Sequence, residues 1–324
     1  MTGTPAPPLV VIAGATATGK TGLAIRLARW LREGGRPAEV ISADSRQVFR
    51  GLDIGTAKVT ADERGDVPHH GLDLVDPDQS FSVADFVTHA DAALAAIARA
   101  GGVAILAGGT GLYLRAVARG LDTAALPSDP ALRASLETDL ERDGLPALAA
   151  RLEGLAPERF ATIDRHNPRR VVRALEVATL RGDGPPPPPR GYPGPVAWIG
   201  LQVEPPVHAR WIADRARAQF DAGLIEEARA LRERYDPDLP AFSAIGYREA
   251  WAVLDGELTL DAAIELDAAR NVAFAKRQRT WFRAEPDLAW IDVTVTPPDE
   301  AARAIVERLP APAPIGRPGY PPAE

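Results

Sequence analysis

Residues 14–21 read Gly-Ala-Thr-Ala-Thr-Gly-Lys-Thr and fit G-x-x-x-x-G-K-[ST] without mismatch. The setting of this octet constrains the fold. An unbroken apolar run of strand length, Leu9-Val10-Val11-Ile12-Ala13, precedes it. Leu23, Leu27, Trp30 and Leu31 follow at helical spacing until Gly34-Gly35. A strand that turns through glycines straight into a helix aims converging backbone N–H groups at the helix N-terminus, where anions are favoured. Gly14, Ala15, Thr16, Ala17, Thr18, Gly19, Lys20 and Thr21 therefore form a site for a pyrophosphate-bearing ligand. Lys20 supplies a mobile positive charge, and the Thr21 hydroxyl can reach Mg²⁺. The motif leaves the identity of the ligand open.

The remaining chain extends this frame. Glu39-Val40-Ile41-Ser42 predicts a second strand with Ala43-Asp44-Ser45 at its carboxyl end, and residues 51–82 are rich in turn formers. Ser82, with Asp85 three residues on, caps a helical stripe of Val83, Phe86, Val87, Ala90, Leu94 and Ile97. Val103 to Ala107 predicts a third strand running into Gly108-Gly109-Thr110-Gly111, with a helix from Leu112 to about residue 118. Continuous apolar strands alternating with helices imply a parallel sheet covered on both faces.

From about residue 125 to 184 only helices are predicted, at 129–143, 145–154, 157–163 and 168–181, followed by a five-proline run at 185–189. Strand character returns at 196–201. Helices are expected at 206–222, 224–235, 245–254 and 260–283, then a strand at 288–293 and a helix at 297–309. The expected fold is α/β: a P-loop NTPase-like parallel sheet flanked by helices (9–124 and 191–309), with an all-helical insertion domain at 125–190. Composition predicts a disordered lead-in at 1–8 and a disordered tail at 310–324, which holds six prolines in fifteen residues.

With no cysteine, a disulfide scaffold, a thiol nucleophile and a thiolate metal site are excluded, and five histidines argue against a His-rich metal site. No apolar run approaches the roughly 18 residues of a membrane span, and no signal segment is evident, so a soluble, cytoplasmic protein is expected. Lys plus Arg is 37 and Asp plus Glu 44, a net charge of −7 that argues against a uniformly basic nucleic-acid binder. Local patches tell a different story. Arg165–Arg173 holds four arginines and no acid, and Arg270–Arg283 holds five basic residues and no acid. On a helix Lys276, Arg279, Thr280 and Arg283 share one face, with Phe274, Gln278 and Trp281 on the other. Two such patches in an acidic chain favour a polyanion, and RNA with splayed bases suits arginine and aromatic side chains.

Asp44 stands just past a strand, where open α/β sheets place ligand-handling groups, although a turn or capping carboxylate reads the same way. Thr110, in its Gly-rich turn, fits either a hydroxyl facing a ligand or a plain turn threonine. No aspartate closes the strand that ends at Ala107, which argues against a motor or switch ATPase. The adjacent His69 and His70 point apart on any regular element and read as packing or hydrogen-bonding groups.

Taken together the motifs resemble the tRNA dimethylallyltransferases. The similar blocks are GATATGKT at 14–21, ISADSRQVFRGLDIGTAK at 41–58, HHGLDLVDPDQSFSVADF at 69–86 and AGGTGLYLRA at 107–116. NPRRVVRALEV at 167–177, AIGYRE at 244–249 and AKRQRTWFR at 275–283 complete the series. They occur in family order over roughly residues 9–293. The resemblance implies transfer of a dimethylallyl group from dimethylallyl diphosphate to the exocyclic N6 amine of tRNA adenosine 37, with Mg²⁺ and a monomeric enzyme. It implies that Asp44 is the general base, that Thr110 orients the pyrophosphate or bridging oxygen, and that Arg215 contacts the pyrophosphate. It assigns tRNA contacts to Asp44, Ser45, Arg46 and Gln47, and to Arg169, Arg170, Val171, Val172 and Arg173. Ser243, Ala244, Ile245, Gly246, Tyr247 and Arg248 form a third segment, and Lys276, Arg277, Gln278, Arg279, Thr280, Trp281, Phe282 and Arg283 a fourth. Ala15 replaces the family's usual proline, Trp211 an arginine and Arg217 an acid. The residues alone also fit a P-loop small-molecule kinase or a non-catalytic RNA-binding P-loop protein.

Overall fold

The computed structural model describes residues 5–125, 127–185 and 187–309. The first four residues and the tail from 310 lie outside the described residues, as does Pro186 of the proline run. The described residues form two compact units, one from residues up to Ala118 and from Tyr192 on, the other from Arg119–Gly191.

In the first unit, Leu9–Gly14 (β1) lies inside a six-stranded sheet. The other strands are Ala38–Ser42 (β2), His69–His70 (β3), Val103–Gly108 (β4), Val196–Gln202 (β5) and Ala289–Asp292 (β6). Their order is β3-β2-β4-β1-β5-β6 and every pairing is parallel. Successive side chains of β1 serve opposite cores, as the two-residue repeat of a strand demands. Val10 and Ile12 pack with Leu23, Leu27 and Leu31 of Lys20–Glu33 (α1). Leu9 and Val11 pack with Phe86 and Leu94 of Val83–Arg99 (α3), and with Leu114 of Gly111–Ala118 (α4). All four β1 residues named are 0% exposed, the signature of a sheet covered on both sides.

The segment at 51–82 holds two pieces of regular structure beyond the expected turns: the short helix Ala61–Arg64 (α2) and β3. Both are too short to leave a periodic signal. Within β3, His70 Nε2 lies 2.6 Å from Glu39 Oε2 and His69 Nδ1 2.8 Å from the Val67 carbonyl. The lead-in differs from expectation. Pro7 is buried, and the Pro7 and Pro8 carbonyls accept hydrogen bonds from the Tyr192 hydroxyl and the Ala104 amide, which ties this stretch to the sheet.

The second unit is helical: Pro130–Leu155 (α5), Pro157–Thr162 (α6) and Pro168–Arg181 (α7). It opens at Arg119 rather than at 125. The Arg190 amide donates to the Gly120 carbonyl and the Gly191 amide to the Arg119 carbonyl, both at 2.9 Å, so the incoming and outgoing chains pair there. Gly144, at φ 80° and ψ 166°, breaks α5 where two helices were expected. Leu136, Leu148, Leu152, Val171 and Leu175 form its core.

Back in the first unit, four helices follow β5: Pro205–Asp221 (α8), Leu224–Arg232 (α9), Tyr247–Leu254 (α10) and Leu260–Arg283 (α11). They enclose a third core around Val48, Leu52, Phe220, Phe242, Tyr247 and Trp251. Pro298–Val306 (α12) packs Ile305 into the core beneath α1.

Glu176 is the electrostatic centre of the helical unit. Its side chain is 0% exposed, 2.7 Å from the Arg133 guanidinium and 2.6 Å from that of Arg173, and it accepts from the Asp129 amide at 2.8 Å. Burial opposes its ionisation, but hydrogen bonds from Arg133, Arg173 and Asp129 outweigh it and hold the carboxyl at about 2. A depressed carboxylate stabilises the fold above its unfolded pKa and loses that contribution as pH falls through the folded one. Glu176→Gln is expected to destabilise the unit by about 3 kcal/mol at neutral pH. The difference from wild type should vanish as pH falls from about 4.5 towards 2, measured by urea unfolding across that range.

Candidate active site

The loop between β1 and α1 turns through Ala17 at φ 58° and Gly19 at φ 79°. Left-handed geometry at a residue with a Cβ costs roughly 1–2 kcal/mol, and it survives only where the surroundings impose it. Here they do. The Thr18 hydroxyl donates to the Ala15 carbonyl at 2.9 Å, and Lys20 Nζ donates to the same oxygen at 2.6 Å. Two side chains from outside hold Thr16. Its amide donates to Gln278 Oε1 of α11, and its carbonyl lies 2.8 Å from His208 Nε2 of α8. Because a carbonyl only accepts, His208 carries its proton on Nε2, which leaves Nδ1 to accept from the Arg279 guanidinium at 3.3 Å. Burial, reinforced by the charges of Arg279, Lys20 and Arg215, lowers the His208 pKa and keeps the ring in this neutral form, against the opposing pull of the bond to Thr16.

The carboxyl ends of β2 and β4 meet beside this loop. The Ala43 amide donates to the Ala107 carbonyl, and the Thr110 amide donates back to Ala43. A Cβ at Gly108 would lie 2.1 Å from the Ala43 carbonyl oxygen, so only glycine permits this approach. Asp44 and Ser45 follow directly. One Asp44 oxygen accepts from the Arg46 amide at 2.8 Å, which fixes the carboxylate's direction. Thr110 Oγ1 accepts from the Ser45 amide at 3.0 Å and lies 3.3 Å from Ser45 Oγ. Gln278 ties the turn after β4 to the P-loop, since its Nε2 donates to the Gly109 carbonyl at 3.0 Å while its Oε1 holds the Thr16 amide.

Lys20, Asp44 and Arg215 form one electrostatic group. Burial lowers the Lys20 ammonium to about 8, with Asp44 raising it and Arg215 lowering it further. Arg215 in turn feels burial first, then Asp267 and Asp44. Its guanidinium donates to Asn271 Oδ1 at 3.4 Å, and Asn271 Nδ2 donates to Asp267 Oδ1 at 2.8 Å. Burial raises the Asp267 carboxyl to about 6. The Asn271 hydrogen bond, Arg215 and Arg270 resist that rise, and Glu249 adds to it. Thr21 is exposed at the first turn of α1. Among the described residues no three histidine, aspartate or glutamate side chains come together as a metal site.

The segments that the resemblance assigns to RNA contact divide by burial. Arg169, Arg170, Ser243, Arg248, Lys276, Arg277, Thr280 and Arg283 are exposed. Ser45, Arg46, Ile245, Arg279 and Trp281 are half-buried. Gly246 is buried, as are Val171, Val172, Ala244, Tyr247 and Phe282, whose side chains serve the cores instead of a surface. Arg173 bonds Glu176 and the Pro127 carbonyl. The Gln47 amide bonds the Thr56 carbonyl, and its carbonyl accepts from Ser42. Gln278 has both ends of its carboxamide engaged and is 7% exposed, so its part is to hold the two turns. Nor does Phe274 face inward with Gln278. It is 37% exposed, and the packed stripe of α11 runs through Asn271, Ala275, Gln278 and Phe282. A cavity of about 250 Å³ lies between Gly109, Gly111 and Leu112 on one side and Arg277 and Trp281 on the other.

Sequence reasoning missed His208, Asp267, Asn271 and Glu249. A lone histidine and three polar residues inside helical runs do not announce their partners, and only the fold brings His208 to Thr16, Asn271 to Arg215 and Glu249 beside Asp267. The lowered Lys20 pKa has a measurable consequence. A bound anion restores the ammonium, so inorganic pyrophosphate should bind with proton uptake near pH 8 and more weakly as pH rises above it. Calorimetry in buffers of different ionisation enthalpy checks this, and Lys20→Met should abolish the uptake.

Comparison with known proteins places this geometry. The sequence profile described as IPP transferase matches residues 47–285. The tRNA dimethylallyltransferase of Anaeromyxobacter sp. (strain K) is 48% identical over 311 residues, 93% of this chain and 98% of that protein. The Roseiflexus sp. (strain RS-1) tRNA dimethylallyltransferase is 42% identical over 308 residues, 93% of this chain and 98% of the other. Among solved structures, the tRNA isopentenylpyrophosphate transferase of Bacillus halodurans superposes with a TM-score of 0.68 at 40% identity, covering 93% of this chain and 94% of that one. With a profile spanning most of its length and relatives similar nearly end to end, the chain belongs to the IPP transferase family.

Proposed function

We propose that this enzyme transfers a dimethylallyl group from dimethylallyl diphosphate to the N6 amine of adenosine 37, beside the anticodon of tRNA, and releases pyrophosphate. The observation that carries the reading is the carboxylate of Asp44, fixed by the Arg46 amide beside the Ser45–Thr110 contact and lying within the electrostatic reach of Lys20 and Arg215 at the P-loop. An adenine amine is a poor nucleophile because its lone pair is delocalised into the ring. Asp44 accepts its proton as the N–C bond forms. Negative charge grows on the departing pyrophosphate, where Lys20, Arg215 and the loop amides left without an internal acceptor would stabilise it. Thr110 Oγ1 is oriented by the Ser45 amide, and its own proton is given in a long contact to Ser45 Oγ, which the hydroxyl can exchange for one to a phosphate or bridging oxygen.

A magnesium ion fits the donor set. The exposed Thr21 hydroxyl, with no cluster of carboxylates or histidines among the described residues, suits a cation held mainly by phosphate oxygens and water. When bound, the ion neutralises charge on the diphosphate. The exposed arginines of α7 and, in the other unit, the exposed lysine and arginines of α11 each offer phosphate contacts for RNA. Such contacts help offset the few kcal/mol needed to unstack the target base. No helix among the described residues is long and apolar enough to cross a membrane.

The test combines labelled dimethylallyl diphosphate, Mg²⁺ and an unmodified tRNA with adenosines at positions 36 and 37, read by mass after digestion. One dimethylallyl group is expected at position 37. Asp44→Ala should slow transfer by about 10²- to 10⁴-fold, with inorganic pyrophosphate affinity retained. A folded, RNA-bound wild type that leaves several such tRNAs unchanged would refute the assignment.

A further inference from the structure

Arg215 lies under the influence of two carboxylates of opposite value to the chemistry. Asp44 must stay free to take a proton. Clamped by a guanidinium, it would be acidified and useless as a base. Among the described residues no ion pair joins Arg215 to Asp44. What holds the guanidinium instead is a buried relay on α11. Asn271 is 6% exposed and Asp267 1%. The Asn271 amide nitrogen donates to Asp267 Oδ1 at 2.8 Å and to the Asp267 carbonyl at 3.2 Å. Those two bonds decide which way the amide faces, and they turn Oδ1 towards Arg215.

We propose that Asp267 and Asn271 are positioning residues for Arg215: they anchor its guanidinium away from Asp44 and leave its remaining donors for the leaving diphosphate. The assignment rests on the reaction proposed above.

The surroundings fit a part in positioning better than one in stability. Asp267 is packed among Glu249 on α10, Arg215 on α8, and Arg270 and Asn271 on its own helix. Glu249 already has partners of its own, since it accepts from the Gly246 amide at 2.9 Å and is ion-paired with Arg270. A second carboxylate buried beside it is a burden on folding, and burial accordingly pushes Asp267 up to about 6. A buried charge that the fold would be better without, set against an active-site arginine, is the pattern in which function is kept at the expense of stability. Asn271 is the neutral intermediate. It accepts from Arg215 without cancelling its charge.

A double-mutant cycle on the full-length enzyme tests this. Asp267→Asn and Asn271→Leu are each made in the wild-type and Arg215→Ala backgrounds. Transfer kinetics, inorganic pyrophosphate affinity and thermal melting are measured at pH 8. In the wild-type background each is expected to lower kcat about tenfold and weaken pyrophosphate binding, with KM for tRNA unchanged. In the Arg215→Ala background neither should have a further effect. Asp267→Asn should melt no lower than wild type.

Equal losses of kcat in both backgrounds, or losses that track a fall in melting temperature, would show a merely structural role and overturn the proposal. So would an unchanged kcat. If one of the two substitutions does not fold, the other carries the same cycle. Failure of the wild type to prenylate tRNA refutes the reaction itself, whereas normal wild-type transfer with no coupling to Arg215 refutes only the positioning role.

Discussion

One buried carboxamide holds the site in register. Gln278 accepts from the Thr16 amide in the P-loop and donates to the Gly109 carbonyl in the turn after β4. These turns follow different strands, and no local rule keeps them at a fixed separation. Removing the side chain strands a donor and an acceptor, each costing about 1–3 kcal/mol if left unpaired and buried. The fit is tight from the other side too, since a Cβ at Gly109 would come within 2.4 Å of Gln278 Nε2. The same helix carries Asn271 two turns earlier, Asp267 three turns earlier and Phe282 one turn later, so α11 indexes the P-loop, the threonine turn and Arg215 together.

The cations of this chain fall into two classes by the partners they keep. Lys58, Arg115, Arg133 and Arg270 pair with carboxylates and close parts of the fold. Lys20, Arg215 and Arg279 are anchored on neutral acceptors: a backbone carbonyl, an asparagine oxygen and an imidazole nitrogen. A neutral acceptor fixes direction without cancelling charge. In a protein of net charge −7 this is how a cluster of uncancelled positive charge persists among many carboxylates that could neutralise it.

Much of this was legible in the residues. The P-loop announced itself because its glycines, lysine and hydroxyl are contiguous and flanked by elements of opposite periodicity, and the central strands showed as short apolar runs. The strand at His69–His70 was invisible, for two residues give no period. The direction of Phe274 was misjudged because a helical wheel does not say which neighbours exist, and α11 packs through Asn271 and Ala275. Gln278 and Tyr247 sat inside motifs that resemble RNA-contacting segments, yet their side chains are turned inward. Contact segments in a family are made of surface residues and the buried ones that shape them, and sequence similarity does not separate the two.

The paired chains at Arg119–Gly120 and Arg190–Gly191 carry a consequence for how such an enzyme can diverge. The polypeptide leaves and re-enters at points one hydrogen bond apart, so a segment of about seventy residues that carries three helices springs from what is locally a hairpin mouth. Loop-closure entropy grows only with the logarithm of length, so the sheet is nearly indifferent to how much chain hangs from that mouth. Helices there can be lengthened, shortened or exchanged without disturbing the register of the six strands. The arm becomes a module whose length drifts freely while the chemistry stays put.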